Sequence, residues 1–144
     1  REELSGDDRV QIVDAVNVLS TTEDSKAGTI EMLKNHPEIN VIATFNEWTS
    51  LGVSYAIREL GLAEETSVAA FDSNVVCVGM LETGEVDALI VQNPYAMGYL
   101  GVECAYNLIN NLPLESIQVD TSTTVITREN MFEEECQKVL FSFD

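Results

Sequence analysis

At 144 residues the chain matches one ordinary domain, long enough for folding to remove about two-thirds of the unfolded surface from water. Hydrophobic residues make up 45% of it, yet no apolar run approaches the roughly 18 to 20 residues of a spanning helix, so a globular protein without such a helix is expected. The formal net charge of −18, from 25 acidic and 7 basic residues, repels phosphate backbones; nucleic acid is not an expected partner, and an anionic ligand is disfavoured.

The opening REELSGDDRVQIV has neither a basic-then-apolar signal pattern nor a starting methionine, and reads as the tail of a helix already under way, which predicts a piece of a longer protein. Residues 9–16 (RVQIVDAV) alternate apolar and polar side chains and carry valine and isoleucine, which predicts a strand. STTEDSKAGTIEMLKNHP then offers Ser20, Thr21 or Thr22 as an N-cap, acids in the first turn and Pro37 as the stop, which predicts a helix.

The pattern repeats. Residues 39–45 (INVIATF) predict a nearly continuous apolar strand, and residues 49–60 a helix ended by Gly61. Residues 67–71 (SVAAF) and 88–91 (ALIV) predict two more strands, with a short helix over 76–81 and a turn at Gly84 between them. After Gln92, Asn93 fits a cap and Pro94 the first helical position, and Met97, Gly101, Cys104 and Leu108 recur at helical spacing until NNLP. Residues 117–127 (IQVDTSTTVIT) read as extended chain, and RENMFEEECQKVLFSFD as a short helix from about Glu129 with an aromatic end. Strands apolar on both faces belong to parallel sheets covered by helices. Their alternation with helices implies right-handed crossovers and an α/β fold, an open doubly wound parallel sheet forming one unit over residues 1–144.

In such a sheet ligands bind beyond the carboxyl ends of the strands. Three predicted strands end there in polar groups: Asn46 after VIATF, Asp72 after VAAF and Gln92 after ALIV. Amides donate and accept, a carboxylate accepts from two hydroxyls at once, and the mixture suits a small neutral polyol or sugar. The alternative for each is a residue that starts a turn or caps the next helix. Trp48, the single tryptophan, is placed to stack on a sugar's apolar face or else to serve as a lobe-packing or partly exposed aromatic. Glu47 reaches the same crevice or complements the helix dipole.

Catalysis finds little support. There is no GxGxxG, GxxxxGK[ST] or GxSxG, and the single histidine, His36, lies beside Pro37 in a surface loop. Cys77, Cys104 and Cys136 are odd in number, without a CxxC pair, and read as small buried hydrophobes. Acids such as Glu133, Glu134 and Glu135 fall on a solvated face. No metal or cofactor is expected.

VIATFNEWTSLGVSYAIRELG, VAAFDS, LETGEVDALIVQNPYAMGYLGVECAYNLI and VITREN, in that order, resemble the C-terminal lobe of the periplasmic sugar-binding protein family, exemplified by the ribose- and galactose-binding proteins of ABC importers. QNPYAMG is the most distinctive part. The resemblance implies one lobe of a type I periplasmic-binding-protein fold, without catalysis, in which Asn46, Asp72 and Gln92 hydrogen-bond sugar hydroxyls. It further implies an N-terminal lobe carrying aromatic stacking residues, closure about a three-stranded hinge with its last crossing near residues 119–127, and docking on an importer permease. The parent would be extracytoplasmic, in the periplasm or lipid-anchored at the outer face of the membrane. Glu47 departs from the aspartate common in the family, and an arginine usual at the start of this lobe has no counterpart, Arg1 lying too late to match it. The same lobe serves lactose-repressor-type transcription regulators and sugar sensors. Those repressors usually show P-x-L-T-T-V where this chain has GEVDALIVQNPYAMG, which favours the importer receptor.

Two expectations follow from a half-cleft. Sugar affinity of the isolated chain should be no tighter than about millimolar. Met131, Phe132, Phe141 and Phe143 should leave an apolar patch, at which the fragment either dimerises or frays.

Overall fold

The computed structural model describes residues 7–114 and 116–141. Hydroxyl and amide caps set where its first four helices begin. Thr21 Oγ1 accepts from the Asp24 amide at 3.2 Å, Glu23 and Asp24 occupy the first turn, and α1 runs Thr22–Asn35 until Pro37 prevents its continuation. After β1 (Val41–Ala43), Asn46 caps α2 (Glu47–Leu60), which ends on Gly61 in the left-handed region at φ +69°. β2 (Ser67–Phe71), α3 (Val75–Thr83), β3 (Ala88–Val91) and α4 (Pro94–Ile109) follow. The chain closes with β4 (Thr124–Thr127) and α5 (Glu134–Leu140).

The strands form one sheet in the order β1-β2-β3-β4. The first three run parallel, with Ala43 beside Ala69 and Phe71 beside Ile90; β4 runs antiparallel to β3, with Ile126 beside Leu89. The two-residue period puts Ile42, Val68, Ala70, Leu89, Val91 and Ile126 into the core with Leu51, Ile57, Met80 and Leu81 of the helices. On the opposite parity Val41, Phe45 and Val125 stay exposed. α2 is buried on most sides because α1 packs over it. That approach needs Gly52, where a Cβ would come within 2.5 Å of Ser25 Cβ and 2.6 Å of the Thr22 carbonyl oxygen.

The α/β class and the strand–helix order match expectation, and several details differ. The last strand is antiparallel, returning along β3 instead of extending the parallel series. Residues 9–16 form no strand. The Asp7, Asp14 and Asp24 carboxylates take the amides of Arg9, Ala15 and Leu19, local bonds that compete with a ladder, and Val10, Ile12 and Val16 remain exposed. The strand expected over 39–45 shortens to β1, although ladder bonds reach one residue further at each end, from Ser67 N–H to Asn40 O and from Thr44 N–H to Ala69 O.

The stripe Met97, Gly101, Cys104 and Leu108 lies on a helix as expected, yet α4 has no buried residue. Cys77 and Cys136 are buried and Cys104 only partly so. The terminal helix begins at Glu134 rather than near Glu129. Asn130 accepts from the Thr127 amide at 2.7 Å and donates to Val125 O at 3.1 Å, closing a turn first. That turn carries Met131 into the core at 3% exposure, so it is no part of an apolar patch; Phe132 and Phe141 are exposed, and Phe143 lies outside the described residues.

Candidate functional site

The carboxyl ends of β2 and β3 carry the chemistry. Asp72 directly follows β2; its N–H donates to Ile90 O at 3.0 Å, so it still belongs to the ladder with β3. Its φ of +68° lies in the left-handed region, a conformation that aspartate tolerates better than bulkier residues. Gln92 directly follows β3, and its Nε2 donates to Asp72 Oδ1 at 2.9 Å. Two residues twenty positions apart in sequence thus meet side chain to side chain at one rim of the sheet.

A second carboxylate–amide pair stands beside the first. Glu47, the first residue of α2, accepts from Asn74 Nδ2 at 2.6 Å. Asn74 also caps α3, its Oδ1 accepting from the Val76 amide at 2.8 Å. On the far side Asn93 caps α4 by accepting from the Ala96 amide at 2.9 Å, and Pro94 starts that helix. Together these elements line an open cleft of about 450 Å³, within the usual range for small-molecule sites. Glu47, Asp72, Asn74 and Gln92 supply its polar wall with Ser73, and Val91, Pro94 and Met97 its apolar one.

The donor and acceptor inventory is specific. Each amide nitrogen has two protons and commits one to a carboxylate, so one remains for a ligand on Gln92 and one on Asn74. Each carboxylate keeps an oxygen outside its pair. Among the described residues that line it, none is cationic. A wall that both donates and accepts and carries negative charge suits hydroxyl groups and repels carboxylates and phosphates.

Asn46 and Trp48 are placed differently from the sequence expectation. Neither lines the cleft. Asn46 Oδ1 accepts from the Thr49 amide at 3.0 Å and the Thr49 hydroxyl at 3.2 Å, which is the helix-capping alternative. Trp48, one helical position beyond Glu47, is 53% exposed. Glu47, Asp72 and Gln92 come together. Sequence reasoning missed Ser73, Asn74 and Met97. An asparagine immediately before the apolar VVCVGML is a helix-start signal that would have placed Asn74 at the same rim.

Other chemistry has little to build on. Among the described residues no group of three or more His, Cys, Asp or Glu is gathered to hold a metal ion. Burial pushes the Cys77 thiol up to about 11, away from the reactive thiolate. The Arg58 guanidinium, 2.7 Å from Glu85, holds that carboxyl below its ordinary range, but the pair lies outside the cleft lining.

Comparison with known proteins bears on the fold and the family. A family model described as a periplasmic binding protein domain matches residues 1–113. A carbohydrate transporter solute-binding protein from Agrobacterium radiobacter, solved in complex with D-arabinose, superposes with a TM-score of 0.86 at 24% identity over 97% of this chain and 48% of its own. An ABC transporter solute-binding protein from Agrobacterium vitis with bound D-fucose gives 0.85 at 26% identity over the same shares, 97% and 48%. A sugar transporter from Clostridium phytofermentans gives 0.62 at 30% identity, covering 76% of this chain and 38% of its own. The chain therefore spans about half the length, 48%, of the first two solved structures. No curated protein matches it.

Proposed function

The chain belongs to the periplasmic binding protein domain family, and from that premise we propose that it is the C-terminal sugar-binding lobe of an extracytoplasmic receptor serving an ABC carbohydrate importer. The observation that carries the reading is the Gln92 to Asp72 hydrogen bond of 2.9 Å, which joins two strand ends at the mouth of the cleft. Asp72 and Gln92 are the primary ligand contacts, and Glu47 with Asn74 flanks them. Asn46 has a subsidiary role, since its carbonyl already serves α2. The ligand is a small neutral carbohydrate, in keeping with the acidic wall that the described residues form and with the sugars bound in the Agrobacterium proteins.

The reading extends to the parent. Residues 1–144 form a single lobe, the stretch near 119–127 is the last hinge crossing, and an N-terminal lobe supplies the opposing wall. Such a receptor gains affinity by closing two walls on the ligand and excluding water. It acts as a carrier rather than a catalyst, in the periplasm or at the outer face of the cell membrane, where the closed form meets the permease.

The test is a thermal-shift comparison of the chain and its Asp72→Ala variant with D-arabinose, D-fucose and glucuronate. Sugars at high concentration stabilise proteins generally by exclusion, and that contribution cancels in the difference between the two proteins. The neutral sugars are expected to raise Tm more for wild type than for Asp72→Ala, and glucuronate equally for both. No difference for any neutral sugar would contradict the function.

A further inference from the structure

Resting on the reading of Asp72 as a sugar contact, we propose that Ser50, which lines no part of the cleft, is the residue that positions it. Ser50 lies in α2 with its side chain fully buried. Its Oγ stands where β1, β2 and α2 meet, 2.7 Å from Thr44 Oγ1, 2.8 Å from Asn46 O and 3.0 Å from Phe71 O, and it receives the Phe71 N–H at 2.9 Å. A hydroxyl has one proton and two lone pairs. Ser50 accepts from the Phe71 amide, and its one proton faces the Asn46 and Phe71 carbonyls and the Thr44 hydroxyl; when that proton goes to a carbonyl, the second lone pair takes the Thr44 proton and its whole capacity is engaged.

The consequence lies in the ladder. Phe71 is the residue before Asp72, and β2 pairs with β1 up to the bond from Thr44 N–H to Ala69 O. An uninterrupted parallel ladder would next use the Phe71 N–H toward β1. The Ser50 oxygen takes that N–H instead. Pairing with β1 therefore stops, while pairing with β3 continues through Asp72 N–H to Ile90 O. The two strand ends part at this point. The chain after Thr44 turns into the cap of α2, and Asp72 stays against β3 at φ +68°, within reach of Gln92. One buried hydroxyl fixes both outcomes.

Ser54 supplies an internal control. It lies one turn further along α2, is equally buried, and its Oγ donates to Ser50 O at 2.7 Å without bonding to the sheet. Removing either hydroxyl takes one oxygen from the same helix; removing that of Ser50 alone strands the Phe71 amide.

The experiment compares Ser50→Ala, Ser50→Cys and Ser54→Ala in the isotope-labelled 144-residue chain by NMR. It reads hydrogen exchange at the Phe71 amide, the Gln92 side-chain amide shift, and the dissociation constant for D-arabinose as probe. Ser50→Ala is expected to speed Phe71 exchange about tenfold relative to Ser54→Ala, the loss of one net hydrogen bond. It should also move the Gln92 side-chain amide and weaken D-arabinose severalfold. Ser50→Cys, close in size with a weaker acceptor, should fall between wild type and alanine, and it carries the test alone if Ser50→Ala does not fold. Equal effects of the Ser50 and Ser54 variants on Phe71 and Gln92 would overturn the proposal, as would an unmoved Gln92 amide in both Ser50 variants. Failure of wild type to respond to D-arabinose or any other neutral sugar counts against the function proposed for the lobe, and the ligand-free Phe71 and Gln92 readouts then decide on Ser50.

Discussion

Asp72 combines a left-handed backbone with a carboxylate held by Gln92, so its direction is set from both ends. Gln92→Glu keeps the size of the side chain and replaces the donor with a second acceptor. Two carboxylates at that separation repel, and one must protonate or swing away. The variant is expected to lose about 1 kcal/mol of stability at neutral pH, to recover it on acidification, and to lose its sugar response; denaturant unfolding across pH checks the first two. A flat difference from wild type across pH would show that the side chains do not face each other. At this scale the sequence placed residues better than it assigned their roles. The positions of Asp72 and Gln92 at neighbouring strand ends were legible from the strand pattern, while the turn or cap alternative applied to them as to Asn46. Asn46 was equally suited to ligand contact and to capping, and the capping geometry with Thr49 is visible only once α2 is placed. Asn74 escaped because its two roles, capping α3 and binding Glu47, both depend on α3 beginning at Val75.

The elements show why local pattern carried most of the order and missed the edges. Caps and breakers are short-range signals: Asn93, Pro94 and Gly61 mark the ends they were expected to mark, Thr21 is the cap among the three candidates Ser20, Thr21 and Thr22, and Gly84, expected at a turn, ends α3. Pairing is not a local property. Residues 9–16 have a strand's alternation and make no ladder, and the sense of β4 depends on a return path that no periodicity records. Nor does helical spacing guarantee burial: α4 carries an apolar stripe along 16 residues and has no buried residue. The α1–α2 contact is the reverse case, where one position decides the packing. Gly52→Ala places a methyl group against the Thr22 carbonyl, which is backbone and cannot rotate away. The expected cost is about 1–3 kcal/mol, measured as a lower denaturation midpoint. An unchanged midpoint would mean that the two helices do not approach so closely.

On the proposed reading, the described residues form one wall of a cleft rather than a closed container. Its polar rim is assembled from three strand–helix junctions on one side of a sheet, while Val41, Phe45, Phe132 and Phe141 remain exposed elsewhere. Those side chains favour self-association, and a net charge of −18 opposes it. Sedimentation velocity is therefore expected to show a monomer at low ionic strength and a growing dimer as salt screens the repulsion. A monomer at every salt concentration would remove the self-association. Water competes for each hydrogen bond in a half-open site, so affinity for a neutral sugar should be no tighter than about millimolar. The most direct measurement is a D-arabinose titration of the isotope-labelled chain, followed at the Gln92 side-chain amide with Asp72→Ala in parallel. The expected result is a saturable shift of that amide at roughly millimolar sugar, absent in the variant. A Gln92 amide that stays still while the sugar perturbs some other surface would contradict the site at the ends of β2 and β3.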